Sequence, residues 1–166
     1  MLQPLRRRVW ARRGQTPIQH PWGRHDRITA LGALVRSPWA ARFNLYCKLL
    51  GHNAHADDIV QFIREVHRHL RRPIILICDR LPAHRSAARR LRKESGTWFR
   101  VEWLPAYAPE LDPVEYVWCQ SKYSDLANYI PEDIDELRHA IARIVEDYRH
   151  DPHRLRSFFQ AAQLVY

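Results

Sequence analysis

Apolar positions recur along this chain with two periods, and each change of period marks an element. Residues 28–35 (ITALGALV) and 41–50 (ARFNLYCKLL) read as two strands, joined across Arg36 to Ala40 into an antiparallel hairpin. Gly32 inside the first strand allows either a close approach or a bulge. Ile59, Ile63, Val66 and Leu70 then recur at spacings of four, three and four, which predicts a helix over about 56–71 with one apolar face. Asp57 and Asp58 suit its positive N-terminal end as dipole partners. Residues 74–79, IILICD, hold five consecutive apolar residues and end in an aspartate. Such a run predicts a strand buried at the centre of a sheet. A basic helix over about 85–94 and a strand over 99–103 (FRVEW) follow. Two helices close the chain. In the first, Ile134, Leu137, Ile141, Ile144, Val145 and Tyr148 form one face; the second starts at Pro152 and ends near Val165. The alternation of strands and helices makes this an α/β chain.

The stretch WLPAYAPELDPVEYVW, residues 103–118, links the last strand to a helix through Pro105, Pro109 and Pro113. Each proline fixes its own φ and holds the residue before it extended, so the loop is an ordered turn. Asp112 suits the N-cap, Pro113 the first helical position, and Glu115 stands three residues after the cap. Glu115 therefore has two readings: it closes a capping box, or it points into a cleft as a metal ligand. Asp79 has two as well. It is a strand-end turn residue, or an acid where α/β sheets collect their sites, at the carboxyl end of a strand. Thirty-five residues separate the two (115 − 79 − 1 = 35).

Composition narrows the partners. The chain has 166 residues, the length of one domain, and 46% of them are apolar. Lys and Arg exceed Asp and Glu by 27 − 18 = 9, which favours a polyanion, nucleic acid first. No long apolar segment points to a membrane, and no apolar stretch marks a signal peptide. Three cysteines, Cys47, Cys78 and Cys119, are far apart without a CxxC spacing and read as reduced thiols of a cytoplasmic protein. The ten histidines show no zinc spacing. Arg6, Arg7, Arg8, Arg12 and Arg13 cluster around Trp10, and Arg85, Arg89, Arg90, Arg92 and Lys93 crowd the helix after Asp79. Each cluster is either a solvated face or a contact to DNA backbone.

The segments ILICDRLPAHRS and WLPAYAPELDPVEYVW resemble the second and third signature blocks of the DDE transposases, in particular the bacterial insertion-sequence branch of the mariner superfamily. VWARRGQTP, residues 9–17, resembles the segment that follows that family's first acid. The resemblance implies a ribonuclease-H-like mixed sheet flanked by helices, with Asp79 and Glu115 as catalytic, metal-binding acids. It also implies Mg²⁺ or Mn²⁺ as cofactor, DNA as substrate, and transposition as function. His84 falls in the family's D-x-x-x-x-H pattern and Asp112 stands where the family usually has Asn; both are candidates to support the site, although a lone histidine is more often structural. Phosphodiester hydrolysis and strand joining are in-line displacements served by two Mg²⁺ ions roughly 3.5–4 Å apart on oxygen ligands.

The resemblance also sets an expectation of loss. The family's first aspartate precedes the WARRGQTP-like segment, but here no acid precedes Asp26, which stands well after that position. The chain thus reads as one catalytic domain, 1–166, without its first strand, its first acid or a helix-turn-helix domain, and inactive alone. Three readings compete: a truncated or split transposase, with a second copy or a separately encoded N-terminal segment as partner; a non-enzymatic basic module that binds DNA or a transposase; and another metal nuclease of the same fold. The last needs an acid on the strand 28–35, which has none.

Overall fold

The computed structural model describes residues 5, 7–8, 10–15, 28–39 and 42–164; Arg6, Val9, Thr16, Pro17, Asp26, Ala40, Ala41 and Val165, which figure in the expectations above, lie outside them. Strand β1 (Thr29–Arg36) pairs antiparallel with β2 (Phe43–Leu50) in unbroken register, from Thr29 opposite Leu50 to Arg36 opposite Phe43. Helix α1 (Ala56–Leu70) leads to β3 (Ile74–Cys78), α2 (Pro82–Glu94) and β4 (Phe99–Trp103), which runs parallel to β3. A 3₁₀ turn (Pro109–Leu111), α3 (Pro113–Gln120), a π turn (Ser121–Asp125), α4 (Ile134–Arg149) and α5 (Pro152–Ala161) complete the order.

Two cores hold these elements. One packs Leu45 of the hairpin against Val117, Leu137, Ile141, Tyr148 and Leu155 of α3, α4 and α5. The other gathers Ile59, Ile63 and Val66 of α1, Leu91 of α2 and Phe99 and Val101 of β4. Strand β1 joins them because side chains alternate across a strand. Ala30 and Leu34 pack on the first core, and Leu31, Ala33 and Val35 on the second.

The expected single sheet is instead two two-stranded sheets, β1–β2 and β3–β4. The halves are tied by side-chain packing rather than by a backbone ladder, and among the described residues β1 and β3 each pair along one edge only. The expected full burial of β3 is corrected with it. Ile74, Leu76 and Cys78 pack toward α1 and α2, but Ile75 is 65% and Ile77 48% exposed. The strand is apolar on both faces, and only the face toward α1 and α2 is covered.

Helix ends account for two further placements. Helix α2 starts three residues before the expected Arg85, because Pro82 occupies the first turn, where its missing N–H costs nothing. Asp58 accepts the N–H of His55, the N-cap of α1, at 2.8 Å, so it works as a cap partner as well as a dipole partner. Gly32 produces no bulge. A Cβ there would lie 2.3 Å from Trp118 Cζ2, so the glycine is what lets α3 settle on β1.

Candidate active site

The parallel pair β3–β4 delivers two acids to one place. Asp79 follows the last residue of β3, and the loop after β4 carries the chain to α3. Asp112 caps that helix, its carboxylate accepting the Val114 N–H at 3.1 Å. The Asp112 N–H donates to Pro109 O at 3.0 Å. Glu115 therefore closes no capping box, which leaves its exposed carboxylate available to the cavity. Asp79, His84, Asp112 and Glu115 line one cavity of about 660 Å³, with Gly32 of β1 and Trp118 of α3 on its wall.

Hydrogen bonds orient the first acid. Asp79 Oδ1 accepts the Leu81 N–H at 3.1 Å and a bond from His84 Nδ1. A carboxylate only accepts, so His84 carries its proton on Nδ1. The expected supporting role of His84 thus has a definite contact. Asp112 shows the electrostatics of the cluster. Burial pushes its carboxyl up to about 6; the Val114 N–H opposes this, Glu115 and Asp79 add to it, and His84 lowers it. Cys78 is pushed up to about 12 by burial, then by Asp79 and Asp112. The acids therefore feel one another across the cavity.

Oxygen donors crowded at like charge are the chemistry a hard divalent cation selects, and Asp79 and Glu115 are the residues that would hold it. They make a partial set. Among the described residues no three His, Cys, Asp or Glu side chains come close enough together to hold a metal ion.

The basic residues divide. Arg85, Arg89 and Lys93 line a second cavity, beside the first. Arg90, expected with them, turns away to pair with Asp57 of α1. Arg8, Arg12 and Arg13 are exposed. Arg7 is engaged instead: its backbone N–H donates to Asn128 Oδ1 at 2.7 Å and its guanidinium to Tyr123 O. Reading the sequence missed Lys122 on the acid cavity, and Arg80 and Trp103 on the basic one. Arg80 stands next to Asp79 and Trp103 ends β4, but which side of the sheet each faces is set by packing. No described helix is long and apolar enough to cross a membrane.

No curated protein matches the chain in sequence. The fold is similar to a chain in the crystal structure of the Mos1 strand transfer complex, with a TM-score of 0.57 and 18% identity, over 98% of this chain and 47% of that one. This chain therefore spans about half the length of that relative. The family model for the DDE superfamily endonucleases matches residues 1–138 of the 166, and with that match over most of its length the chain belongs to the DDE superfamily endonuclease family.

Proposed function

We propose that the acid cavity is the strand-cleavage and strand-transfer centre of a transposase of the bacterial insertion-sequence branch, acting on the ends of a DNA element. The observation that carries the reading is the meeting of Asp79 and Glu115 on one cavity, with His84 bonded to the first and Asp112 capping the helix of the second. Mg²⁺ or Mn²⁺ bound by the two acids would supply Lewis-acid stabilisation of the charge that develops on phosphate oxygens. The chain's own part is positional. His84 and the Leu81 N–H fix the Asp79 carboxylate, and the seat of Trp118 against Gly32 fixes the helix that carries Glu115.

Two acids are one too few for the chemistry of this family: Asp112, the third carboxylate on the cavity, is engaged as the N-cap of α3, and among the described residues no three such groups come close enough together to hold a metal ion. Strands β1 and β3 bear on the same point: among the described residues each pairs along one edge, and an added strand would take the other. In this reading the chain alone does not cleave DNA. A segment outside the described residues adds a strand there and brings the third aspartate.

The test is a cleavage and joining assay in Mg²⁺ or Mn²⁺ on DNA carrying the element's ends, with and without such a segment. The expected result is no activity from the chain alone, and activity with the segment that Asp79→Ala or Glu115→Ala abolishes. Robust cleavage by the chain alone, lost on Asp79→Ala, would place the third acid within this chain. DNA binding without cleavage under every combination would mark a non-enzymatic DNA-binding module instead.

A further inference from the structure

The cations of α2 fall into two sets. Arg90 is neutralised by Asp57, and Glu94 pairs with Arg64 of α1. The other set, Arg85, Arg89, Arg92 and Lys93, lines the second cavity with Arg80 and Trp103, and among the described residues none of these five cations pairs with a carboxylate. Charges left uncompensated around a concave surface attract a polyanion from solution.

The cavity is shaped for more than phosphate. Its volume is about 660 Å³, within the roughly 300–1,000 Å³ range of ligand pockets. Trp103 packs partly on the second core and still lines it. Two guanidiniums are held to the backbone around that indole. Arg80 Nε donates to Leu104 O at 3.2 Å and one Arg92 Nη to Val101 O at 3.3 Å. Each keeps further N–H donors for a ligand, since a guanidinium carries several in a fixed fork. An aromatic ring set among cations is the arrangement that binds unpaired bases, with the ring stacking on the base and the cations meeting the phosphates. A paired base inside a duplex keeps its face covered by its neighbours and has none to offer the indole.

The cavity also lies beside the acids. Asp79 lines the acid cavity and Arg80 the basic one; His84 lines the first and Arg85 the second. Residues adjacent in the chain therefore line the two cavities, which sets them on neighbouring parts of the surface.

From these observations we infer that the basic cavity is a binding site for an unpaired polynucleotide strand, with a base stacked on Trp103 and its phosphates on Arg85, Arg89 and Lys93. It holds single-stranded DNA against the entrance to the acid cavity. The inference rests on the DNA reading above and goes beyond it in naming an unpaired strand and the residue that reads it.

The experiment is fluorescence anisotropy with a thymidine oligonucleotide of about a dozen nucleotides, an abasic oligonucleotide of equal length, and a duplex, a length within the usual site size of such grooves. The unmodified protein is expected to bind the thymidine strand about tenfold or more tightly than the abasic one. Trp103→Phe keeps that preference. Trp103→Leu abolishes it, and a circular dichroism spectrum and cooperative thermal melt like those of the unmodified protein show that the variant is folded. Photocrosslinking of a bromouracil-substituted strand to the unmodified protein is expected to label the peptide containing Trp103, whether or not Trp103→Leu folds. Equal affinity for the thymidine and abasic strands overturns the inference and leaves the DNA reading intact. So does a preference that survives Trp103→Leu, or crosslinking confined to other aromatic residues. Failure to bind any of the three at low salt overturns both.

Discussion

Asp79 and His84 are joined through one carboxylate oxygen, and the other is left over. Oδ1 takes both the imidazole N–H and the Leu81 N–H, while Oδ2 has no hydrogen-bond partner among the described residues. The imidazole thereby sets the plane in which the spare oxygen is presented. Groups that orient a ligand in this way are typically worth about 10–100-fold in metal affinity. His84→Ala is expected to weaken Mn²⁺ binding at Asp79 by about tenfold, measured by calorimetry, and His84→Asn, which keeps a donor, to weaken it less. Unchanged affinity in His84→Ala would reduce the contact to a structural one.

Gly32 and Trp118 set the distance between β1 and the helix carrying Glu115. A Cβ on Gly32 would stand 2.3 Å from Trp118 Cζ2 and 2.8 Å from Cη2, both atoms of a stiff ring. Gly32→Ala should cost about 1–3 kcal/mol in urea denaturation, the usual penalty of overpacking. Phenylalanine lacks those two ring atoms, so Gly32→Ala introduced into a Trp118→Phe background should cost less than half as much. An equal cost in both backgrounds would locate the strain elsewhere.

Asp112 should make the protein less stable as pH rises. Its folded carboxyl titrates at about 6 against an ordinary 3.8, chiefly because it is buried. Between those values the folded state binds more protons than the unfolded one, so stability declines as pH rises from 3.8 through 6, and the full cost is present above 6. Asp112→Asn keeps an N-cap acceptor and removes the charge. It is expected to stabilise the fold by on the order of 1 kcal/mol at neutral pH, with a gain that shrinks as the pH is lowered toward 4. A thermal-melt series across that window decides it. A gain that does not change with pH would exclude the charge as its source.

Some elements with local signals were readable from sequence to the residue, whereas α2 starts three residues before the expected Arg85 and α5 ends at Ala161 rather than near Val165. Strand β4 occupies the expected 99–103, and α3 starts at Pro113 behind its Asp112 cap, because capping and proline geometry act within a few residues. Gly32 was legible as a special position, but only packing tells that Trp118 is what approaches it. The division of the sheet was not legible. IILIC reads the same whether one face or both are covered, and coverage depends on elements distant in sequence. Nor was the π turn after α3, which is held by Tyr148 of α4. Its hydroxyl bonds to Asp125, and Ser121 Oγ donates to it at 3.5 Å. In the candidate site, strand-end and capping logic singled out Asp79, Asp112 and Glu115, and the family resemblance singled out His84; the four line one cavity. The ion pair of Arg90 was not legible, because neighbouring arginines on a helix look alike until one meets an acid on another helix.

That difference between neighbours gives the last prediction. Arg89 and Arg90 are adjacent, both exposed and equal in charge, so a DNA partner that responded to net charge alone would treat them alike. Arg89 lines the basic cavity, whereas the Arg90 guanidinium is held by Asp57 across the α1–α2 packing. An arginine that meets a phosphate displaces condensed counterions, and its loss lowers the slope of log affinity against log salt by roughly 0.7–0.9. Arg89→Ala should show that drop, together with weaker binding at low salt. Arg90→Ala should leave the slope nearly unchanged and cost less than about 1 kcal/mol of stability, the usual worth of an exposed ion pair. Anisotropy titrations at several salt concentrations separate the two variants. Equal changes in slope would show that DNA senses the overall charge of α2 rather than the cavity built on one side of it.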